Sequence, residues 1–350
     1  MNLNDFLTHP SEWLKGTGPL SDIVISSRIR LARNIEKLPF PNWASKEQEE
    51  EILSLILEAV EHLSQFKDAL ILKLANLDNV DKQFLVERHL MSHEFALRSE
   101  NKALVVTADE VISLMINEED HIRLQVMQSG FNLEGAWKIS NEIDSGLSER
   151  LNIAFLTDLG FVTACPTNTG TGMRGSVMLH LPALVTTKQI NRILQAVAKL
   201  SFNVRGLYGE GTQASGNFFQ VSNQVSLGHT EEEIIENLKS VIRQIADKEQ
   251  AARQNLLTGH QQVLKDRIFR AFGILENAHI ISSNETIELL SMVRLGLDVG
   301  LLKDIDKNLV NELFILTQPA HLQKISGKKL TPAERDSKRA SLVREKLLNK

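Results

Sequence analysis

A single cysteine, a single tyrosine and three tryptophans occur among 350 residues. One thiol forms no internal disulfide, so the fold rests on its own core, as expected of a reducing, cytoplasmic compartment. A positive surplus is missing too. The net charge is −5, which removes bulk attraction to nucleic acid or to an anionic membrane. No apolar run approaches the ~18 residues that a spanning helix needs, so no membrane association is expected. The opening Met-Asn-Leu-Asn-Asp-Phe-Leu has neither a basic region nor an apolar stretch, and no signal peptide is expected. There is no internal repeat and no low-complexity tract. What is present, 42% apolar and 24% charged residues, is ordinary for a globular protein of one large domain or two smaller ones.

Nucleotide-binding signatures are also scarce. No G-x-x-x-x-G-K-[ST] occurs. G-x-G-x-x-G occurs literally from Gly170 to Gly175, inside Cys165-Pro-Thr-Asn-Thr-Gly-Thr-Gly-Met-Arg174-Gly175-Ser176. A dinucleotide site needs a helix directly after the glycines and an acid roughly 20 residues on. Here Gly175 leads into a strand-like run, Val177 to Leu181, and the next acid ahead is Glu210. The Rossmann reading fails. The stretch reads instead as a tight turn between a strand over Leu159 to Ala164 and one over Val177 to Leu181. Its glycines would bring backbone N–H groups close to an anion, with Arg174 suited to phosphate and Cys165 at the entrance.

Arginine beside carboxylate recurs at predicted strand ends. Ile23 to Asn34 begins as a strand that places Arg28 and Arg30 on one face, an arrangement that calls for an anion but also suits two solvated surface arginines. Val111 to Ile116 and Ile122 to Met127 predict a hairpin with Glu118, Glu119 and Asp120 at its tip and Arg123 on the face of Gln125 and Met127. Phe202 to Gly211 and Phe218 to Leu227 predict two strands about a glycine-rich turn, with Arg205 and Glu210. Ala69 to Leu74 and Ala103 to Thr107 predict two more strands. Capping boxes at Ser45–Gln48, Thr186–Gln189 and Thr230–Glu233 open predicted helices, and Leu133 to Leu147 is a further one. Beyond Leu257 the pattern is nearly all helical. The last helix starts at Thr331-Pro-Ala-Glu334 and carries Arg335, Asp336 and Arg339, which could be no more than surface ion pairs.

Four blocks, Ser26-Ser-Arg28-Ile-Arg30-Leu-Ala-Arg33-Asn34, Asn117-Glu-Glu-Asp-His-Ile-Arg123, Cys165 to Arg174 and Arg205-Gly-Leu-Tyr-Gly-Glu210-Gly, resemble the phosphagen (guanidino) kinase catalytic domain in the family's order. The likeness spans Asp22 to Leu257. With Arg335-Asp336-Ser-Lys-Arg339-Ala340 it is strongest toward the bacterial protein arginine kinases of the McsB type. The resemblance implies an α+β fold, an antiparallel sheet flanked by helices, followed by a smaller all-helical C-terminal domain. The divisions expected are a lead-in over 1–21, a catalytic domain over 22–257 and a helical domain over 258–350.

The resemblance also implies ATP with Mg²⁺ carried on it. Nucleotide contacts carried over are Ser26, Ser27, Arg28, Ile29 and Arg30, then His89 and Arg123. Arg174, Gly175, Ser176, Val177 and Met178 follow, with Arg205, Gly206, Leu207, Tyr208, Gly209 and Glu210. Glu119 and Glu210 match the acids that hold the guanidinium, and Cys165 matches the thiol beside it. Arg335, Asp336, Arg339 and Ala340 match a phosphoarginine pocket coupled to activity. Implied partners are protein substrates with exposed arginines, an activator protein, a heat-shock repressor and a Clp-type protease, with a homodimer left open. Met178 stands where small-molecule guanidino kinases have a histidine. Only a short lead-in precedes Ser26 where those enzymes carry a helical domain, which implies a more open site.

The chemistry explains the residue types. A guanidinium of pKa ~13.8 is neutral in only about 10⁻⁷ of molecules at pH ~7, a penalty of roughly 9 kcal/mol. Two carboxylates can hold the planar cation in line and accept its proton as the N–P bond forms, while Cys165 orients it without a covalent intermediate. Arginines aimed at the transferring phosphoryl group contribute about 10³–10⁵ in rate in related systems. A kinase of a free guanidino compound and a non-catalytic phosphoarginine reader are the alternatives.

Overall fold

The computed structural model describes residues 2–206 and 215–348. Strands β1 (Val24–Arg33), β2 (Leu70–Lys73), β3 (Ala103–Val106), β4 (Ile112–Ile116) and β5 (Ile122–Ser129) come first, with α1 (Lys46–Glu61), α2 (Asn79–Glu87) and α3 (His93–Leu97) between them. Then follow α4 (Leu133–Ser148), β6 (Phe155–Leu156), β7 (Gly160–Phe161), β8 (Met173–His180), α5 (Pro182–Thr186), α6 (Ile190–Lys199), β9 (Phe202–Arg205) and β10 (Phe218–Asn223). The remainder is helical: α7 (Glu231–Gly259), α8 (Gln261–Asn277), α9 (Ser283–Asp298), α10 (Lys307–Leu316), α11 (Pro319–Ser326) and α12 (Pro332–Leu348). The α+β expectation holds. Eight strands form one antiparallel sheet in the order β2-β3-β4-β5-β1-β8-β10-β9.

The middle of that order is occupied by β1, the longest strand, and neighbours on both sides share its alternation. One face presents Ile29 and Leu31 of β1, Leu124 and Val126 of β5 and Val177 of β8 to α4 and α7. These helices begin as their sequences dictate. Thr230 and Glu233 form a complete capping box on α7, and the Asn132 side chain caps α4 by accepting from Gly135 N–H. Ser140, which interrupts the apolar stripe of α4, is buried and returns its hydroxyl to the Ala136 carbonyl at 2.8 Å.

Three expectations are corrected. The Cys165 segment does not join two strands of the main sheet: β7 pairs with β6 in a separate two-stranded sheet and bridges to Gly170 through Phe161, and the segment holds a 3₁₀ turn, Pro166–Asn168. Consequently Arg174, Gly175 and Ser176 belong to β8 and not to a turn. The predicted strand over Phe218 to Leu227 stops at Asn223. Its side chain leaves the ladder to accept from Gly175 N–H at 2.8 Å. Thr186–Gln189 is no capping box. Pro182 starts a short helix that consumes Thr186, Thr187 returns its hydroxyl to the Ala183 carbonyl, and α6 starts without a side-chain cap.

One apolar cluster runs from the sheet through Leu238 and Ile242 of α7 into Leu264 and Ile268 of α8, Leu290 and Val293 of α9 and Leu347 of α12. Buried charges follow the same path. Arg253 binds Glu249 at 2.9 Å and lies 3.6 Å from Asp298, whose carboxylate also meets Lys307 at 2.8 Å and Arg294 at 3.7 Å.

Candidate active site

Cross-strand partners share a face, so the register fixes which side chains meet. Arg28 lies opposite Met127 and Ser176, Arg30 opposite Gln125 and Arg174, and Ala32 opposite Arg123. Beyond β8, Ser222 pairs with Ser176, Gln220 with Met178 and Arg205 with Gln220. Arg28, Arg30, Arg123, Arg174 and Arg205 therefore come from four strands to one face. A cleft of ≈ 360 Å³ opens over it, walled by Arg30, Arg123, Arg174, Arg205, Glu119 and Cys165.

Arg28 lies on the same face, two residues along β1 from Arg30. Its Nε donates to Ser176 Oγ at 3.2 Å, Nη2 to Gln220 Oε1 at 2.9 Å and Nη1 to Gln125 Oε1 at 3.3 Å. These partners are neutral, so they orient the guanidinium without cancelling its charge. Burial, then the charges of Arg123, Arg174 and Arg205, pull its pKa down to about 9. Burial and Arg28, Arg123 and Arg174 push Arg30 well below the usual range, and among the described residues its buried Nε has no acceptor. Cations crowded this closely favour a polyanion above them.

Arg123 is held by Glu118, which also accepts from Ser92 Oγ at 2.6 Å. Burial alone would raise the Glu118 pKa, but Arg123 outweighs it and the net shift is downward. The adjacent Glu119 is exposed to the cleft and behaves oppositely. Partial burial and the charges of Asp120 and Glu118 raise its pKa, which makes it the better proton acceptor of the two. Asp120 is buried and accepts from Asn34 Nδ2 and from Ala164 N–H, both at 2.7 Å. The hairpin tip is thus pinned to the residue before Cys165 and is not a freely solvated turn. The Cys165 thiol is half-buried, 3.1 Å from Thr167 Oγ.

The proposed nucleotide segments divide by alternation. Ser26, Arg28, Arg30, Arg174, Ser176 and Met178 fall on the cleft face. Side chains of Ile29 and Val177 are buried in the opposite, helix-packed core. Ser27 is buried there too, its Oγ donating to Gly130 O at 2.9 Å and accepting from Asn132 N–H at 2.9 Å. A Cβ on Gly175 would meet Leu238 at 3.3 Å, and its N–H is already given to Asn223, so the expected anion cradle is not built from this glycine. Gly170 and Gly172 have φ of 110° and 62° and serve the turn itself. His89 packs edge-on against Trp13 at 5.4 Å, and burial followed by Arg28 lowers its pKa to about 4. Gly206 is buried at the end of the described segment, while Leu207, Tyr208, Gly209 and Glu210 lie outside the described residues.

Sequence reasoning gave no role to Asn34, Gln125, Gln220 or Ser222, which orient the cleft. The Arg174 guanidinium donates to Ser222 Oγ at 3.1 Å. Gln125 was discoverable, since alternation sets it beside Arg123; Gln220 and Ser222 become visible only once β10 is paired with β8.

At the far end of the chain, Arg339 is 1% exposed, so it is no surface residue. Its Nε donates to Thr317 O and its Nη1 to Ile281 O, both at 2.8 Å, beside its ion pair with Asp336. Ala340 is buried with it, while Arg335 and Asp336 are half-buried. These four are remote in sequence and absent from the lining of the cleft.

Two family models match the chain. ATP:guanido phosphotransferase, C-terminal catalytic domain, covers residues 51–252, beginning after Arg28 and Arg30. Protein-arginine kinase McsB C-terminal domain covers residues 261–350. A protein-arginine kinase of Halothermothrix orenii is 49% identical over 99% of both chains, and one of Moorella thermoacetica is 48% identical over the same shares. Among solved structures, lombricine kinase matches with a TM-score of 0.61 at 25% identity, over 69% of this chain and 70% of that one. The duplicated taurocyamine kinase of Schistosoma mansoni, with bound transition state analog components, also matches at 0.61, with 26% identity over 72% of this chain and 35% of its own. A guanidino kinase sheet, a matching C-terminal domain and near-half identity over the whole length converge: the chain belongs to the protein-arginine kinase family.

Proposed function

We propose that this protein transfers the γ-phosphoryl group of ATP to a guanidino nitrogen of arginine side chains in proteins. The observation that carries the reading is the convergence of five arginines from four strands on one face, four of them lining a single cleft with Glu119 and Cys165. The five guanidinia suit a triphosphate, and the neutral partners of Arg28 leave its charge available for it, while Arg123 is paired with Glu118. Of the three carboxylates at the hairpin tip, Glu118 is committed to Arg123 and Asp120 to Asn34 and Ala164. Mg²⁺ would therefore be held chiefly by phosphate oxygens, which it prefers, where it neutralises charge on the transferring group.

Glu119 and Glu210 would hold the substrate guanidinium in the plane of attack. Glu119 accepts the proton as the nitrogen bonds to phosphorus, and Cys165 fixes the orientation of the cation. Arg30, Arg123 and Arg174 bear the charge that develops on the phosphoryl oxygens. The same reading carries the partners implied by the sequence, namely an activator protein, a heat-shock repressor and a Clp-type protease. The test is mass spectrometry, under conditions that keep N–P bonds intact, of an unfolded protein and of free arginine after reaction with MgATP. Phosphoarginine in the protein is expected. Label on free arginine alone would replace this reading with a small-molecule guanidino kinase.

A further inference from the structure

The C-terminal helices meet α2 at a buried carboxylate. Glu87, the last residue of α2, is 3% exposed and lies against the start of α11. Its carboxylate accepts from Ala320 N–H at 2.9 Å and His321 N–H at 3.1 Å, and it meets His321 Nδ1 at 2.8 Å. These are N–H groups that a helix start leaves without internal partners, so an anion there is favoured. The next residue, Arg88, is buried in an ion pair with Glu110 and donates to Ser11 Oγ at 2.9 Å. His89 follows with φ at 60°, a conformation that a non-glycine residue holds only when its surroundings enforce it.

This turn aims the His89 carbonyl at Gln125 Nε2, 2.8 Å away. The other end of the same amide, Oε1, accepts from Arg28 Nη1 at 3.3 Å. With Nε2 committed to His89, the amide cannot flip without losing both bonds. Gln125 thus presents an acceptor, and not a donor, to the guanidinium. On the other side of α11, Thr317, two residues before Pro319, offers its carbonyl to Arg339 of α12 at 2.8 Å. Hydrogen bonds joined by short backbone segments, residues 317–320 and 87–89, connect α12, the start of α11, Glu87, Gln125 and Arg28.

We infer that Glu87 is a positioning residue: by binding the start of α11 it makes the helical domain set the orientation of Arg28 toward the nucleotide phosphates. The inference rests on the reading of Arg28 as a phosphate ligand. A carboxylate whose role was only to hold two helices together would affect stability and the folded fraction, and would leave nucleotide affinity of the folded molecules alone. A positioning role shifts affinity.

The experiment measures ATP binding to the full-length protein by titration calorimetry, with turnover and thermal unfolding on the same samples. Wild-type protein that fails to bind ATP would sink the underlying reading and not this inference. Given wild-type binding, Glu87→Ala should weaken ATP about tenfold, the size expected when a charged group's hydrogen bond is lost. It should raise KM for ATP more than it lowers kcat. Glu87→Gln, which retains an oxygen toward Ala320 N–H, should recover most of the affinity. Gln125→Ala should weaken ATP to a similar degree and stands in should Glu87→Ala not fold, and the Glu87→Ala/Gln125→Ala pair should be no worse than Gln125→Ala alone, since both act on Arg28 through one amide. Unchanged ATP affinity in folded Glu87→Ala or in Gln125→Ala, or strictly additive losses in the pair, would overturn the assignment.

Discussion

Arg30 sits in the cleft wall with a buried Nε that has no acceptor among the described residues, surrounded by other arginines. Arg30→Lys keeps a charge but loses the planar fork, so it should still cost most of the turnover; Arg30→Ala should lower kcat/KM by about 10³. Steady-state kinetics with MgATP check both. Glu119 is required as its carboxylate, and its pKa is raised by burial and by Asp120 and Glu118. Activity should accordingly fall with acidification at a pH above the ordinary carboxylate range, and Glu119→Gln should abolish turnover while ATP still binds. A pH–rate profile limited by a group well below pH ~4.3 would contradict this. His89 works on stability. Its folded pKa of about 4 lies below the usual 6.5, so the unfolded chain takes up the proton first. Stability is full above pH ~6.5 and is lost as pH falls toward ~4, by about 3 kcal/mol for this group. His121, His180 and His321 are lowered in the same direction and add to the slope. Denaturant melts across that range give the measurement.

At the level of elements, the central decision is how the Cys165 segment joins the sheet. Arg33, almost fully buried, pairs with Asp144 of α4 at 2.7 Å, donates to Thr171 O at 3.0 Å and lies 3.4 Å from the Phe161 ring. A Cβ on Gly172 would press into that guanidinium and lie 2.7 Å from Ala32 O, at a φ of 62°. Gly172→Ala should therefore destabilise by roughly 1–3 kcal/mol, the cost of a strained backbone position, and loosen Cys165. Asp120→Ala strips a partner from the half-buried Ala164 N–H and from the buried Asn34 Nδ2; a loss of about 2 kcal/mol and a larger KM for the protein substrate are expected. Thermal unfolding and substrate titration test the pair. Both effects were illegible in the linear chain. The motif Cys165 to Ser176 looked like a turn because glycine clusters usually mark one. The turn in fact ends at Gly172, where β1 recruits the next residues into its own ladder.

For the whole molecule, the divided family matches at 51–252 and 261–350 contrast with one continuous core. Asp298 of α9 answers Arg253 of α7 and Arg294 together with Lys307, all in the buried seam. Asp298→Ala should cost about 3–5 kcal/mol by leaving buried cations uncompensated. A fragment ending at His260 should unfold or aggregate, since the apolar cluster would lose Leu264, Ile268 and Leu290; a stable, cooperatively melting fragment would refute that.

Local order decided much in advance. Alternation placed Arg28 and Arg30 on one face, the capping residues at 45 and 230 started α1 and α7, and the block order pointed to guanidino chemistry. These are short-range or compositional facts, and the chain carries them in any conformation. Tertiary pairing decided the rest. Only register could bring Arg205 and Gln220 beside Arg28, turn Ser27, Ile29 and Val177 away from the cleft, and spend Gly175 N–H on Asn223. Only packing could bury Arg339 and set Glu87 against α11. Hydrogen bonds between residues 50–230 positions apart depend on which strands and helices become neighbours, and sequence spacing carries no measure of that distance.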